Sequence, residues 1–146
     1  MRRAARMVVS LALCAAGTPA ASRAADLAVE VTGVRDASGA LVVSLWNRGD
    51  GFGKFDARRA LATQTIAAVP GQPARVRFDQ LAPGRYAVSA FHDADGDGRL
   101  KTNVLGMPRE GVGVSNNTGG IPSFGKSLVD VPAAGPVRIA LRYLGG

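Results

Sequence analysis

Short stretches in which apolar and polar residues alternate, separated by Gly- and Pro-containing turns, dominate the chain after residue 26. The last stretch is typical, because Val137, Ile139 and Leu141 alternate with Arg138 and Ala140. A period of two residues indicates strands that bury one face, and frequent turns between short strands favour an antiparallel β-sandwich. We therefore predict an all-β sandwich, immunoglobulin-like or prealbumin-like, with about seven strands and one long loop.

The predicted strands lie at 27–32, 40–46, 63–69, 75–78, 85–91, 124–131 and 137–143. We expect the first two to form a hairpin, because the turn sequence Asp36 to Gly39 lies between them. Residues 56–62 form the only segment that favours a helical turn. Residues 104–123 are rich in Gly, Asn and Pro without periodicity, which predicts the long loop at 92–124. Trp46, at the end of the second strand, is predicted to lie in the core.

The first 24 residues have the three-part pattern of a secretory signal peptide. Arg2, Arg3 and Arg6 supply the basic start, and an apolar run from Val8 to Gly17 follows. That run is well short of the roughly 20 residues that a membrane-spanning helix needs. Small residues at the recognition positions predict cleavage after Ala24, with a cut after Ala20 as the alternative.

The predicted mature chain, residues 25–146, is a single domain in the periplasm or outside the cell, and it does not span the membrane. The only cysteine, Cys14, lies in the signal peptide, which excludes disulfides, thiolate catalysis and Cys-bound zinc. Four of the eighteen basic residues leave with the signal, so fourteen remain against eleven acidic ones, a net charge of +3. These basic residues are scattered, which together with export argues against nucleic-acid binding.

An aspartate-rich run follows the fifth predicted strand. Asp93, Asp95 and Asp97 stand at alternate positions, and Gly98 follows the third. Three carboxylates this close repel one another unless a cation lies among them, and Ca²⁺ takes about six to eight oxygen ligands from tightly curved loops. We therefore predict a Ca²⁺ site made by the three aspartates and the backbone carbonyl of Arg99.

The run departs from an EF-hand loop, because Val104 stands at the twelfth position, where an EF-hand has a bidentate Glu. Asn103 and Glu110 are candidates for further ligands, and Asn116 is another. With an incomplete ligand set the expected dissociation constant is about 10⁻⁴–10⁻³ M, and the neighbouring Lys101 would weaken binding further. The alternative interpretation is an Asp/Gly-rich turn whose carboxylates are solvated.

His92, the only histidine, directly precedes the aspartate run. Together with an aspartate it could serve acid–base catalysis, but a hydrolase of the Ser-His-Asp type also needs a positioned nucleophile. The chain contains no G-x-S-x-G sequence. A single histidine at a strand end more often holds a loop in place through hydrogen bonds, so we assign no catalytic residue.

Residues 120–127 match the P-loop pattern G-x-x-x-x-G-K-[ST] letter for letter. A phosphate-binding P-loop needs a buried strand before it and a helix after it. Here a polar Asn- and Gly-containing run precedes the motif, and a short predicted strand follows. We therefore predict no nucleotide site and no nucleotide cofactor.

Several ordered elements of the chain resemble those of a bacterial family. The elements are 81–88, 92–100, 105–111, 115–117 and 122–124. Together they are similar to the exported proteins called domain of unknown function 2141, over essentially the whole mature chain. The resemblance implies a small extracytoplasmic β-sandwich with no established activity. The family loop usually carries Asn at two of the three aspartate positions, so this chain has more carboxylates there.

The sequence thus predicts a binding or accessory module in which Ca²⁺ orders the 92–124 loop. The ordered loop would then contact a partner, for which an envelope protein or a glycan is expected. Two alternatives stay open. One is a hydrolase-like enzyme that uses His92 with an aspartate, and the other is a structural envelope protein without a ligand.

Overall fold

The computed structural model describes residue 17 and residues 23–117 and 119–145. The predicted signal peptide, residues 1–24, lies outside the described residues except for positions 17, 23 and 24. Among the described residues, no helix has both the length and the apolar character needed to cross a membrane.

The described residues form eight strands in two sheets that pack face to face. The strands are β1 (Ala25–Thr32), β2 (Ala40–Trp46), β3 (Ala62–Ala67), β4 (Ala74–Leu81), β5 (Gly84–Asp93), β6 (Val112–Val114), β7 (Val129–Val131) and β8 (Val137–Ala140). Single 3₁₀ turns lie at Phe52–Lys54, Ala57–Arg59 and Gly125–Ser127. The predicted all-β sandwich is confirmed, with one strand more than expected.

The smaller sheet has the order β4-β1-β8, in which β1 is antiparallel to β4 and parallel to β8. The larger sheet has the antiparallel order β3-β2-β5-β6, and β7 pairs with β5 beside β6. The predicted hairpin of the first two strands is therefore wrong, since β1 and β2 lie in different sheets. Their connection passes from one sheet to the other and buries Val34 in the core.

The main core lies between the two sheets and follows the predicted alternation. From the larger sheet, Leu41, Val43 and Leu45 of β2 point inward together with Val88 and Ala90 of β5. They pack against residues of the smaller sheet, including Leu27, Val29, Val31 and Ile139. Each of these large aliphatic side chains contributes about 1.5–3 kcal/mol to stability through burial.

A second apolar cluster covers the opposite face of the larger sheet, which we call the outer face. Trp46 is fully buried there, and its indole N–H donates to Ser89 Oγ at 2.9 Å. Phe52 meets the Trp46 ring edge-on at a centroid distance of 5.6 Å, and Phe91 lies in the same cluster. The core position predicted for Trp46 is confirmed, and irregular segments rather than a third sheet cover this face.

The predicted loop at 92–124 is interrupted, because β5 continues to Asp93 and β6 forms at 112–114. Gly113 of β6 faces β8 so closely that a Cβ there would lie 2.5 Å from Cγ2 of Ile139. The three residues of β6 are too few to show the alternation by which a strand is recognised in a sequence.

Two other predicted elements are shorter than expected. The predicted strand at 124–131 forms only at β7, because its first part takes up the 3₁₀ turn at Gly125–Ser127. The predicted helical turn at 56–62 is present as the 3₁₀ turn Ala57–Arg59. Asp56 caps this turn by accepting the Arg58 N–H at 3.3 Å.

Candidate functional site

The aspartate loop begins at the end of β5, where the Asp93 side chain is only 3% exposed. Its two carboxylate oxygens accept N–H groups from inside the loop, Asp97 N at 3.2 Å and Gly98 N at 2.8 Å. Gly96 and Gly98 adopt positive φ angles of 73° and 75°, a conformation that glycine takes without steric cost. The loop therefore curls around the buried Asp93 carboxylate.

The two exposed aspartates of the loop complete a compact group of oxygens. Asp97 Oδ1 accepts the Arg99 N–H at 2.8 Å, and Asp95 Oδ1 accepts the Asp97 N–H at 3.4 Å. One carboxylate oxygen from each of Asp93, Asp95 and Asp97 lies within 4.8 Å of the other two. Because calcium–oxygen distances are about 2.3–2.6 Å, oxygens around one ion lie at most roughly 5 Å apart. The observed spacing fits a single cation.

A lysine lies against this group. Lys101 Nζ forms an ion pair with Asp95 Oδ2. This hydrogen bond lowers the pKa of Asp95 and raises the pKa of Lys101. The side chains are 52% and 36% exposed, so the pair contributes little to the free energy of unfolding. The Lys101 ammonium does, however, neutralise part of the negative charge that a metal ion would meet.

Glu110 closes the aspartate loop. Its side chain is buried, and its carboxylate accepts the Ala94 N–H and the Lys101 N–H, each at 3.0 Å, with one oxygen for each donor. A single carboxylate thus ties together the two ends of the 94–101 segment. The sequence predicts Glu110 only as a candidate metal ligand, because a contact across sixteen residues leaves no local pattern that would indicate its closing role.

Asn103 has a different local role from that of the aspartates. Its Oδ1 accepts the N–H groups of Leu105 at 2.9 Å and of Met107 at 3.0 Å. These bonds shape the tip of a hairpin-like segment, residues 101–109, in which Thr102 and Pro108 form an isolated β-bridge. The structure therefore assigns the Asn103 amide oxygen to turn formation.

The two remaining predicted ligands differ in their surroundings. Arg99 belongs to the loop itself and is exposed, with its N–H donating to Asp97. Asn116 lies beyond β6, and its amide donates to the Leu128 carbonyl at 2.7 Å. Of the predicted ligands, the three aspartates come together as one group, and Arg99 lies in the same loop.

His92 lies on the inner face of the larger sheet, opposite to Asp93, and is 1% exposed. Its Nε2–H donates to the Ser38 carbonyl at 2.7 Å, because a carbonyl oxygen only accepts. Its Nδ1 forms a second hydrogen bond with the Tyr143 hydroxyl at 2.8 Å, in which the neutral imidazole accepts, and that hydroxyl accepts the Arg35 N–H at 3.0 Å. Both ring nitrogens are engaged by the protein, so His92 fixes the strand end from which the aspartate loop leaves.

The segment that matches the P-loop pattern has another local structure. Lys126 lies in the single 3₁₀ turn Gly125–Ser127, and β7 follows directly. A P-loop binds phosphate through a helix N-terminus after the motif. Among the described residues around Lys126, this context is not found.

The family comparison bears on the whole sandwich. The model of the family described as an uncharacterised protein conserved in bacteria, DUF2141, matches residues 29–140. This range includes the aspartate loop, Glu110 and β8. Neither a curated protein nor a solved structure matches the chain. The match covers more than half of the chain, so this protein belongs to the DUF2141 family of bacterial proteins.

Proposed function

We propose that this protein is an exported binding or accessory module in which Ca²⁺ organises the segment from His92 to Phe124. The observation that carries the proposal is the group of three carboxylate oxygens, from Asp93, Asp95 and Asp97, within 4.8 Å of one another. Ca²⁺ prefers hard oxygen ligands in this arrangement. The predicted signal peptide supports the proposed export to the periplasm or outside the cell.

Charge supports a role for a cation at this loop. Asp93 is buried, and its two oxygens each accept one N–H, which leaves a second lone pair on each oxygen for a metal ion. Asp95 and Asp97 add two further carboxylates on the solvent side. Lys101 balances only one of these three charges. A bound divalent cation would neutralise the remainder and stiffen the loop.

The bound ion would have a structural rather than a chemical role. The aspartate loop connects β5 with the 101–109 segment, and the chain then continues into β6. Ordering of the loop would therefore present this irregular side of the sandwich to a partner. We propose an envelope protein or a glycan as that partner.

Thermal unfolding of the purified protein tests the calcium site. At about 100 times the dissociation constant, Ca²⁺ should stabilise the protein by about 2.7 kcal/mol, a shift of several degrees relative to EDTA. Mg²⁺ at the same concentration should have a much smaller effect, since it demands octahedral geometry and dehydrates reluctantly. The shift should disappear in the double variant Asp95→Ala/Asp97→Ala. Both side chains are exposed, so their removal should not disturb the core.

The control for this test is the double variant Asp79→Ala/Asp130→Ala, which removes two exposed carboxylates outside the loop. It should respond to Ca²⁺ like the wild type. An equal loss of response in both double variants would indicate nonspecific charge screening. No shift at ten-millimolar Ca²⁺, roughly ten times the weak limit for extracellular sites, would leave the aspartates as a solvated turn.

Removal of the competing lysine should strengthen calcium binding. In Lys101→Gln, Asp95 loses its ion-pair partner and the local positive charge disappears. For an exposed pair, this predicts about two- to fivefold tighter Ca²⁺ binding, measured by calorimetric titration. Lys126→Gln changes the net charge equally but lies outside the loop, and should leave the affinity unchanged. Weaker binding in Lys101→Gln would contradict a metal site at Asp95.

A further inference from the structure

A partly open groove of about 810 Å³ lies on the outer face of the larger sheet. Val112 and Val114 of β6 contribute to its floor, together with Phe55 from the segment after the first 3₁₀ turn. Residues 102 and 105–108 form one part of its wall, and residues 117 and 119–122 form another. The groove has the size of sites that bind small molecules, which are about 300–1,000 Å³.

Exposed apolar side chains from three separate segments meet at this groove. Leu105 and Met107 come from the 101–109 segment, Ile121 from the run before the last 3₁₀ turn, and Leu144 from the C-terminal residues. Leu105 and Ile121 are 81% and 93% exposed. Single exposed apolar residues are common, but a contiguous group around a groove indicates a binding surface.

The charge around the groove has one sign. Lys54 and Arg142 lie in its lining, and no Asp or Glu does so among the described residues. Arg142 and Val112 exchange two backbone hydrogen bonds of 2.9 Å in an antiparallel bridge, which puts their side chains on the same face. Nη1 of the Arg142 guanidinium lies 4.0 Å from the position that a Cβ on Gly119 would occupy. The bridge to Val112 therefore holds Arg142 at the groove.

Apolar walls with two cations and few neutral polar side chains select an occupant with one small anionic group and an apolar body. A glycan presents many hydroxyl groups and needs more polar partners than Thr102 and Asn117 supply. We propose that the groove binds a free monoacyl carboxylate, a fatty acid, with its carboxylate at Arg142, while Lys54 adds a second positive charge to the lining. This inference rests on the proposed function for the binding role of the 92–124 segment, and it does not require the metal ion.

Calorimetric titration of the purified protein with dodecanoate, in EDTA and below the micellar range of the ligand, tests this inference. We expect saturable one-to-one binding of dodecanoate and no comparable binding of dodecyltrimethylammonium, which has the same chain and the opposite charge. Arg142→Gln should weaken binding about tenfold, the effect of losing one charge-assisted hydrogen bond. Arg85→Gln removes an exposed arginine outside the groove and should bind as the wild type does.

Ile121→Glu provides a second variant that does not depend on the two cations. Because the Ile121 side chain is exposed, the protein should fold normally while the added carboxylate repels the ligand. No binding of dodecanoate at millimolar concentration would overturn the inference. Equal binding of dodecanoate and dodecyltrimethylammonium would also overturn it. A dimer that Ile121→Glu dissociates would also overturn it, since a second copy would then cover the groove. The titration in EDTA separates these outcomes from a failure of the calcium proposal.

Discussion

Replacement of Gly39 by alanine is expected to destabilise the protein by roughly 3 kcal/mol or more, measured as the free energy of unfolding in urea. Gly39 directly precedes β2 and adopts a φ angle of 59°, a region that costs an alanine about 1–2 kcal/mol. An added Cβ would also lie far inside van der Waals contact with the Asp93 carbonyl oxygen. It would approach Ala94 C to 2.8 Å.

The three atoms nearest to this Cβ all belong to the backbone, so movement of a flexible side chain cannot relieve these contacts. The strand end at Asp93 would have to shift, and with it the carboxylate around which the aspartate loop curls. Gly39→Ala should therefore also weaken Ca²⁺ binding at the proposed site. That effect separates it from a general loss of stability, because the remaining folded protein can be titrated at low temperature.

Gly71→Ala is the matched control for this substitution. Gly71 has a comparable φ angle of 78°, but nothing lies within 4 Å of the position of an added Cβ. Only the backbone strain remains, and we expect a loss of about 1 kcal/mol with unchanged Ca²⁺ binding. Equal destabilisation by the two variants would mean that the end of β5 can shift away from the new methyl group at no cost in free energy. The close approach of Gly39 to Asp93 would then not hold the loop in place.

Local patterns predicted the strands, and the failures occur where tertiary contacts decide the structure. The alternation of β1, β4 and β8 is strong, because each buries one face in the main core and exposes most of the other. The pairing of β1 and β2 was mispredicted, since a turn sequence between two strands does not reveal that Val34 is buried and the chain changes sheets. β6 was missed because Gly113 is fixed by the approach of Ile139, a contact from a distant strand.

The candidate site divides in the same way. The three aspartates lie close together, and their alternate spacing and the two glycines with positive φ angles favour a short curled loop. The role of Glu110 depends on the 101–109 segment folding back onto the loop, which is set by the bridge between Thr102 and Pro108. The groove on the outer face is assembled from segments far apart in the chain, namely the 101–109 segment, residues 119–122 and the chain beyond β8, so no local pattern indicated it.

Replacement of Glu110 by glutamine is expected to destabilise the protein by about 3 kcal/mol. The glutamine has nearly the same shape, but its amide offers one acceptor oxygen where the carboxylate offers two. One of the N–H groups of Ala94 and Lys101 would then face the NH₂ group, and a donor in this partly buried position would lack an acceptor. Hydrogen bonds to charged groups contribute about 1.5–3 kcal/mol, and an unsatisfied buried donor costs a similar amount.

Amide hydrogen exchange locates this loss. The amides of Ala94 and Lys101 should lose protection in Glu110→Gln, whereas the amide of Leu141, which donates to the Thr32 carbonyl at 2.9 Å, should lose only the protection due to global stability. Glu30→Gln is the matched control, because Glu30 is the other glutamate and forms ion pairs with Arg75 and Arg138 on the protein surface. We expect it to cost less than about 1 kcal/mol.

The Glu110 variant also separates closure of the loop from metal ligation. If Glu110 acts by closing the loop, saturating Ca²⁺ should restore part of the lost protection at Ala94, because the three aspartates remain and the bound ion holds the curl that Glu110 had supported. If Glu110 is instead a metal ligand, restoration should require a much higher Ca²⁺ concentration, because the site would then lack one of its carboxylates. The hydrogen bonds from Ala94 and Lys101 favour the first result, since they already engage both oxygens of Glu110 with the backbone.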